Sequence, residues 1–276
     1  MNFKYPVEQT DPPRSPRETL PTMYDLPSED PEEPGLPDEF HDLQPQLLSA
    51  TFRLIDYLPN QIFTGTDMNL YYDIRHPLWH KRPDWFAVVG VPRLYDEVDL
   101  RLSYVIWQEG IAPIVVVELL SPGTEKEDLG QTERGEDQPP TKWEVYEQIL
   151  RVPYYVIFDR YTNHLKAFVL KGSHYEELTL PEPKIWMPDL NIGLGLWHGS
   201  YQGIERLWLR WYDARGEWLP TDAEAAQQQA EAERLRAEAA QQQAEAERLR
   251  AEQAEAKLET LLQKLQEAGI NPDELP

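Results

Sequence analysis

Cysteine is absent from the 276 residues, which excludes disulfides and thiolate zinc centres and fits a reducing compartment. No apolar run reaches the roughly 18 residues that a membrane-spanning helix needs, and the N-terminal residues carry no apolar stretch like that of a secretory leader. The expectation is a cytoplasmic protein with no membrane partner. Basic residues are scarce too: 26 Lys and Arg stand against 49 Asp and Glu, a formal net charge of −23. A surface of that sign repels nucleic acid over most of its area and attracts divalent cations, so binding DNA requires a locally basic face. There is no glycine-rich phosphate loop, and Ser121 lacks the His and Asp of a serine hydrolase.

What is present divides into regions of different composition. Residues 1–45 hold ten of the 25 prolines, many acids and few large apolar residues. Such a segment buries too little surface to offset its ordering entropy and reads as a disordered or loosely docked acidic arm, which could pack against the core through Met23, Tyr24 and Leu26. Residues 46–220 hold all nine tryptophans and read as the folded domain. Residues 221–268 are rich in Ala, Gln, Glu and Arg, and AEAAQQQAEAERLR at 223–236 recurs identically at 237–250. Fourteen residues are two heptads, so the duplication preserves helical phase. This helix is either solvated or a thin coiled coil that makes a homo-oligomer. One seam is Ala232, Leu235, Ala239, Gln242, Ala246 and Leu249, with a single Leu per fourteen residues, and Leu258, Leu261, Leu262 and Leu265 are the better anchor. Residues 269–276 are a tail.

Within the folded domain, apolar spacing predicts a helix over 46–55 and strands over 68–72, 85–89 and 101–107. A strand over 114–120 (IVVVELL) is apolar at six of seven positions, the pattern of a strand buried on both faces. A polar loop of about twenty residues follows. Thr141 and Glu144 form a capping box for the next helix, with Trp143, Tyr146 and Leu150 as its apolar stripe. A second apolar strand covers 154–158, and 165–170 with 175–178 read as a hairpin. Strand, helix, strand at this spacing gives a crossover unit and an α/β fold with a mixed sheet.

Glu118 lies in the middle of the central strand. A buried carboxylate must be neutralised, paired or metal-bound. It is either half of a core ion pair or a group put to chemical use. Asp84 follows Pro83 at the start of the 85–89 strand, where proline fixes the chain direction. If the two strands are neighbours, Asp84 and Glu118 can share one Mg2+ (or Mn2+), a hard ion that takes one or two carboxylates and keeps its water. Arg75, His76, His80, Lys81 and Arg82 crowd the approach to Asp84; they either meet phosphates or balance nearby acids.

Several stretches together resemble the Uma-two family, restriction-endonuclease-like proteins of the PD-(D/E)XK superfamily. They are Pro83-Asp84, APIVVVELLSPGT at 112–124, Lys142 with Tyr146, and VPYYVIFD at 152–159; the resemblance covers roughly residues 60–222. It implies a restriction-endonuclease-like mixed central sheet flanked by helices, DNA as substrate, and metal-dependent hydrolysis. It also implies Asp84 and Glu118 as metal ligands. The superfamily's name calls for a lysine two residues after the acid, a place held here by Leu120. In the Uma-two pattern the lysine comes from the following helix, and Lys142 matches it, to orient or help deprotonate the attacking water. Lys126 is a weaker substitute, and Asp128 is either a third acid or a charged surface-loop residue. The alternative is an inactive nuclease fold that serves as a protein-interaction module through its C-terminal helix.

Overall fold

The computed structural model describes residues 10–26, 38–121, 125–135 and 138–268. In chain order, α1 (Pro16–Thr19) precedes α2 (Glu39–Thr51), whose first N–H groups at Phe40 and His41 are accepted by Asp38. Strands β1 (Ile62–Thr66), β2 (Leu70–Tyr71), β3 (His80–Lys81), β4 (Trp85–Val89) and β5 (Tyr104–Val105) follow. Next come α3 (Ile106–Glu109), β6 (Val115–Leu119) and α4 (Glu125–Asp128). Helix α5 (Lys142–Glu144) runs directly into a wider π-helical turn, Val145–Ile149. Strands β7 (Tyr154–Asp159), β8 (His164–Lys171), β9 (His174–Glu177), β10 (Lys184–Met187), β11 (Ile192–Tyr201) and β12 (Ile204–Tyr212) complete the first compact unit, residues 1–219. The second unit, 220–276, is built on α6 (Asp222–Glu267).

The main sheet has six strands in the order β1-β4-β6-β7-β8-β9. β6 and β7 are parallel and every other neighbouring pair is antiparallel, as a mixed sheet with one crossover requires. All five residues of β6 are buried, so its side chains serve two apolar layers in alternation. Val115, Val117 and Leu119 join α2 and the β10-β11-β12 sheet in one layer, with Phe40, Leu47, Leu48, Trp208 and Trp211. Val116 faces the other layer, with Phe86, Tyr146, Tyr155 and Ile157. Glu118 shares that second face by the same period. Gln44 pins α2 across the first layer, donating from Nε2 to the Leu209 carbonyl and accepting the Leu209 N–H, both at 2.8 Å.

Several expectations shift. Part of the segment expected to be a loose arm is packed. Met23 and Leu26 are buried in a small cluster with Tyr71, Tyr95 and Val105, and Gln108 Nε2 donates to the carbonyls of Pro16, Leu20 and Pro21. Two apolar anchors and one amide that collects backbone carbonyls offset the ordering entropy that composition alone argued could not be met. Tyr24, the third expected anchor, stays exposed, its hydroxyl on Asp99. Residues 1–9 and 27–37 of the arm, and the 269–276 tail, lie outside the described residues.

The first helix begins seven residues before the expected 46 and ends at Thr51, because Asp38 caps it and Pro45 is carried inside it. The expected strand over 101–107 is reduced to Tyr104–Val105, after which the chain turns into α3. The β10-β11-β12 sheet was not anticipated. Among the described residues no helix is long and apolar enough to cross a membrane.

Candidate active site

Pairing of β4 with β6, Trp85 opposite Val117, sets Asp84 and Glu118 side by side at adjoining strand ends. Asp84 Oδ2 accepts the Leu119 N–H at 2.6 Å, and Glu118 Oε2 accepts the Asp84 N–H at 3.3 Å. Lys142 arrives from α5. Thr141 Oγ1 accepts the Glu144 N–H and Glu144 Oε2 accepts the Thr141 N–H, so the capping box read from sequence starts the helix one residue before the lysine. Lys142 Nζ donates to Glu118 Oε2 at 3.1 Å and to Asp128 Oδ1 at 2.8 Å. Tyr146, one turn on, donates its hydroxyl to Glu118 Oε1 at 2.9 Å. The three expected residues thus converge, and Tyr146 and Asp128 join them.

Asp128 has no exposed surface, so it belongs to the buried group and not to a surface loop. Its backbone carbonyl accepts the Tyr155 hydroxyl at 2.8 Å, while its Oδ2 is buried without a hydrogen-bond partner. Lys126 is exposed. Glu127 works at the edge: its Oε1 accepts Lys81 Nζ at 2.7 Å and the Lys142 N–H at 3.2 Å. The neighbouring residues of the approach likewise contact acids, Arg75 and His76 with Asp73 and Arg82 with Asp67. Charge balancing accounts for these contacts. His80 Nδ1 lies 3.0 Å from the Leu78 carbonyl.

One residue that sequence reasoning missed supports the acids from the opposite layer. His41 is buried on α2, with Nε2 3.0 Å from the Leu119 carbonyl and Nδ1 3.0 Å from Asp38 Oδ1. A carbonyl only accepts, so Nε2 is the donor in that contact. Asp38 and His41 therefore anchor the backbone at Leu119, whose N–H, one peptide unit earlier, orients Asp84. The available signal was a polar side chain on the face of α2 that carries Phe40, Leu47 and Leu48.

Electrostatics follow from burial. Desolvation pushes the Glu118 carboxyl well above the usual carboxylate range; Asp128 and Asp84 push the same way, and Lys142 and the Tyr146 hydroxyl oppose. Asp84 is also raised, by burial first, with Lys142 and the Leu119 N–H pulling down. Burial alone would lower Lys142, but Glu118, Asp128 and Asp84 carry it well above its ordinary value. Lys142 is thus an ammonium at neutral pH, able to orient and neutralise and unable to take a proton from water in this state. Burial keeps Tyr146 a phenol, hence a donor.

Three acids face one ammonium, with an acceptor atom of Asp128 left unmatched. That surplus of hard, anionic oxygen suits a divalent cation in chemistry and in charge. Among the described residues no three His, Asp or Glu side chains form a ready-made metal cage. A family model described as "Putative restriction endonuclease" matches residues 14–200.

The chain belongs to the Uma-two (Uma2) family. The match begins upstream of the 60–222 span read from sequence motifs, so it takes in α1, α2 and His41, and it ends within β11. Membership makes the chain restriction-endonuclease-like, of a nuclease class for which DNA is the implied substrate. No curated protein matches it.

Proposed function

We propose that this Uma-two protein is a divalent-metal-dependent endonuclease that hydrolyses DNA phosphodiester bonds by attack of water. Asp84 and Glu118 would hold Mg2+ or Mn2+, with Asp128 beside them. Convergence of two strand-end carboxylates with a helix-borne ammonium is the observation that supports this reading. A bound ion of this kind supplies a more acidic water and neutralises phosphate charge. Lys142 keeps its proton on Nζ and sets the position of Glu118 and Asp128 while offering positive charge to a phosphate. Tyr146 holds the second oxygen of Glu118, so the carboxylate cannot rotate away. His41, through the backbone at Leu119, fixes Asp84.

Plasmid incubated with Mg2+ and the unaltered protein, beside Asp84→Ala and Glu118→Ala, is the direct test. We expect nicking that each substitution abolishes; cleavage that survives both excludes this site. A retired nuclease fold that acts as an interaction module has one observation in its favour. Glu118 has no exposed surface and Lys142 already spans Glu118 and Asp128. Calorimetry separates the two: saturable Mg2+ binding lost in Glu118→Ala favours the enzyme, and its absence favours the module. In either case α6 is read as a self-association arm, and the protein as cytoplasmic.

A further inference from the structure

α6 is a single helix of 46 residues, about 69 Å long at 1.5 Å per residue. Leu235 and Leu249 on it are more than half exposed. With Ala232 at heptad position a and Leu235 at d, the g position is Glu in six successive heptads: Glu224, Glu231, Glu238, Glu245, Glu252 and Glu259. The e position over the same span reads Gln229, Arg236, Gln243, Arg250, Lys257 and Lys264. Between residues 224 and 264 no e position is acidic and every g position is; Asp222, the first residue of the helix, also falls at e.

We propose that α6 pairs with α6 of a second copy of this chain as a two-stranded, parallel, in-register coiled coil. The proposal rests on the reading of α6 as a self-association arm and adds orientation, register and strand number. In a parallel pair each g side chain meets the e side chain of the next heptad on the other strand. That sets Glu231 against Arg236, Glu245 against Arg250, Glu252 against Lys257 and Glu259 against Lys264, and the other two rungs are Glu with Gln. In an antiparallel pair g meets g, and glutamates face glutamates along the whole length. Arginines at position c do pair within the helix, Arg234 with Glu231 at 2.6 Å and Arg248 with Glu252 at 3.5 Å. By contrast Arg236, Arg250, Lys257 and Lys264 make no ion pair among the described residues, which leaves the e row available to a second strand.

The seam fixes the rest. Ala225, Ala232, Ala239 and Ala246 occupy a, while d alternates Gln228, Leu235, Gln242, Leu249. In register, Leu layers meet Leu and Gln layers meet Gln; a one-heptad slip sets each amide against a leucine. A two-heptad slip keeps Gln228 against Gln242 and Leu235 against Leu249 but sets Leu249 against Gln263. Three or more strands would bury the charged e and g rows, so the narrow stripe suits two. Leu258, Leu261 and Leu262 fall at f, b and c in this register and take no part.

The absence of cysteine makes the test direct, in the full-length chain. Sedimentation equilibrium should give twice the 32.2 kDa chain mass. Under mild oxidation Leu235→Cys and Leu249→Cys should each give a covalent dimer, and a mixture of the two with different tags should give same-position crosslinks only. Replacing Glu231, Glu238 and Glu245 by Lys should weaken association at least 10-fold, and adding Arg236→Glu and Arg250→Glu should restore it. A monomer throughout removes the self-association reading itself. A dimer joined between positions 235 and 249 overturns the register and orientation; one joined through Leu261→Cys and not Leu235→Cys overturns the seam. A mass of three or more chains overturns the strand number, and a lysine variant that binds unchanged overturns the charge argument.

Discussion

Asp84 and Glu118 orient each other through the main chain: Glu118 Oε2 accepts the Asp84 N–H at 3.3 Å, and Asp84 Oδ2 accepts the N–H of the residue after Glu118 at 2.6 Å. The two acids are a reciprocal clasp between β4 and β6, so a change at one is felt at the other.

The first prediction concerns charge without shape. Glu118→Gln keeps the size of the side chain and an acceptor for Tyr146 while removing an anion that burial disfavours. Cleavage should fall by roughly 100-fold or more. The urea midpoint at pH 7 should hold or rise, because Lys142 retains Asp128. A large loss of stability would mean that the Glu118–Lys142 pair is chiefly structural.

Lys142→Met removes the ammonium and strands buried carboxylates. Breaking a buried pair from one side costs about 3–5 kcal/mol, read by urea unfolding at pH 7. The sign with pH is fixed by the raised carboxyls of Glu118 and Asp84. A group whose pKa is higher folded than unfolded contributes stability that is complete below its unfolded value and lost as pH rises through the folded one. The deficit of the variant should therefore shrink as the pH is lowered towards and below 4.5, the ordinary Glu value. A deficit independent of pH would contradict the arrangement.

Metal binding should release protons. Raised Glu118 and Asp84 carboxyls remain partly protonated above the usual carboxylate range, so a cation must displace those protons. Apparent Mg2+ affinity should climb with pH beyond that range, and calorimetric heats should change with the ionisation enthalpy of the buffer. Buffer-independent heats would place the ion elsewhere.

His41→Ala tests support from the far layer. It frees the Leu119 carbonyl and loosens the residue whose N–H holds Asp84. Residues of this supporting kind typically alter metal affinity by about 10–100-fold. Mg2+ affinity should weaken by about 10-fold while circular dichroism stays native; unchanged affinity would confine His41 to packing.

The sequence was most legible where one rule dominated. β6 and β7 are buried on both faces and read as unbroken apolar runs, and the Thr141–Glu144 box marked the start of α5 to the residue. Asp84, Glu118 and Lys142 were singled out by motif and chain direction, and the fold brings them together. Asp128 was not separable from a surface acid, because only the fold of 125–128 back beneath Lys142 and Tyr155 buries it. His41 was hidden in a helix whose start was misplaced, and its meaning depends on a carbonyl 78 positions away. β11 and β12 escaped because Gly193, Gly195, Gly199, Glu205 and Arg206 interrupt the apolar alternation, and their pairing is a property of the hairpin as a whole.

The identical copies at 223–236 and 237–250 carry a consequence for reach. One copy adds about 21 Å of axial length at 1.5 Å per residue, and in a heptad-wound pair it returns to the same side of its companion. Gain or loss of a copy would thus change how far the arm extends without changing which way it faces, like a ruler that can be cut only at its graduations.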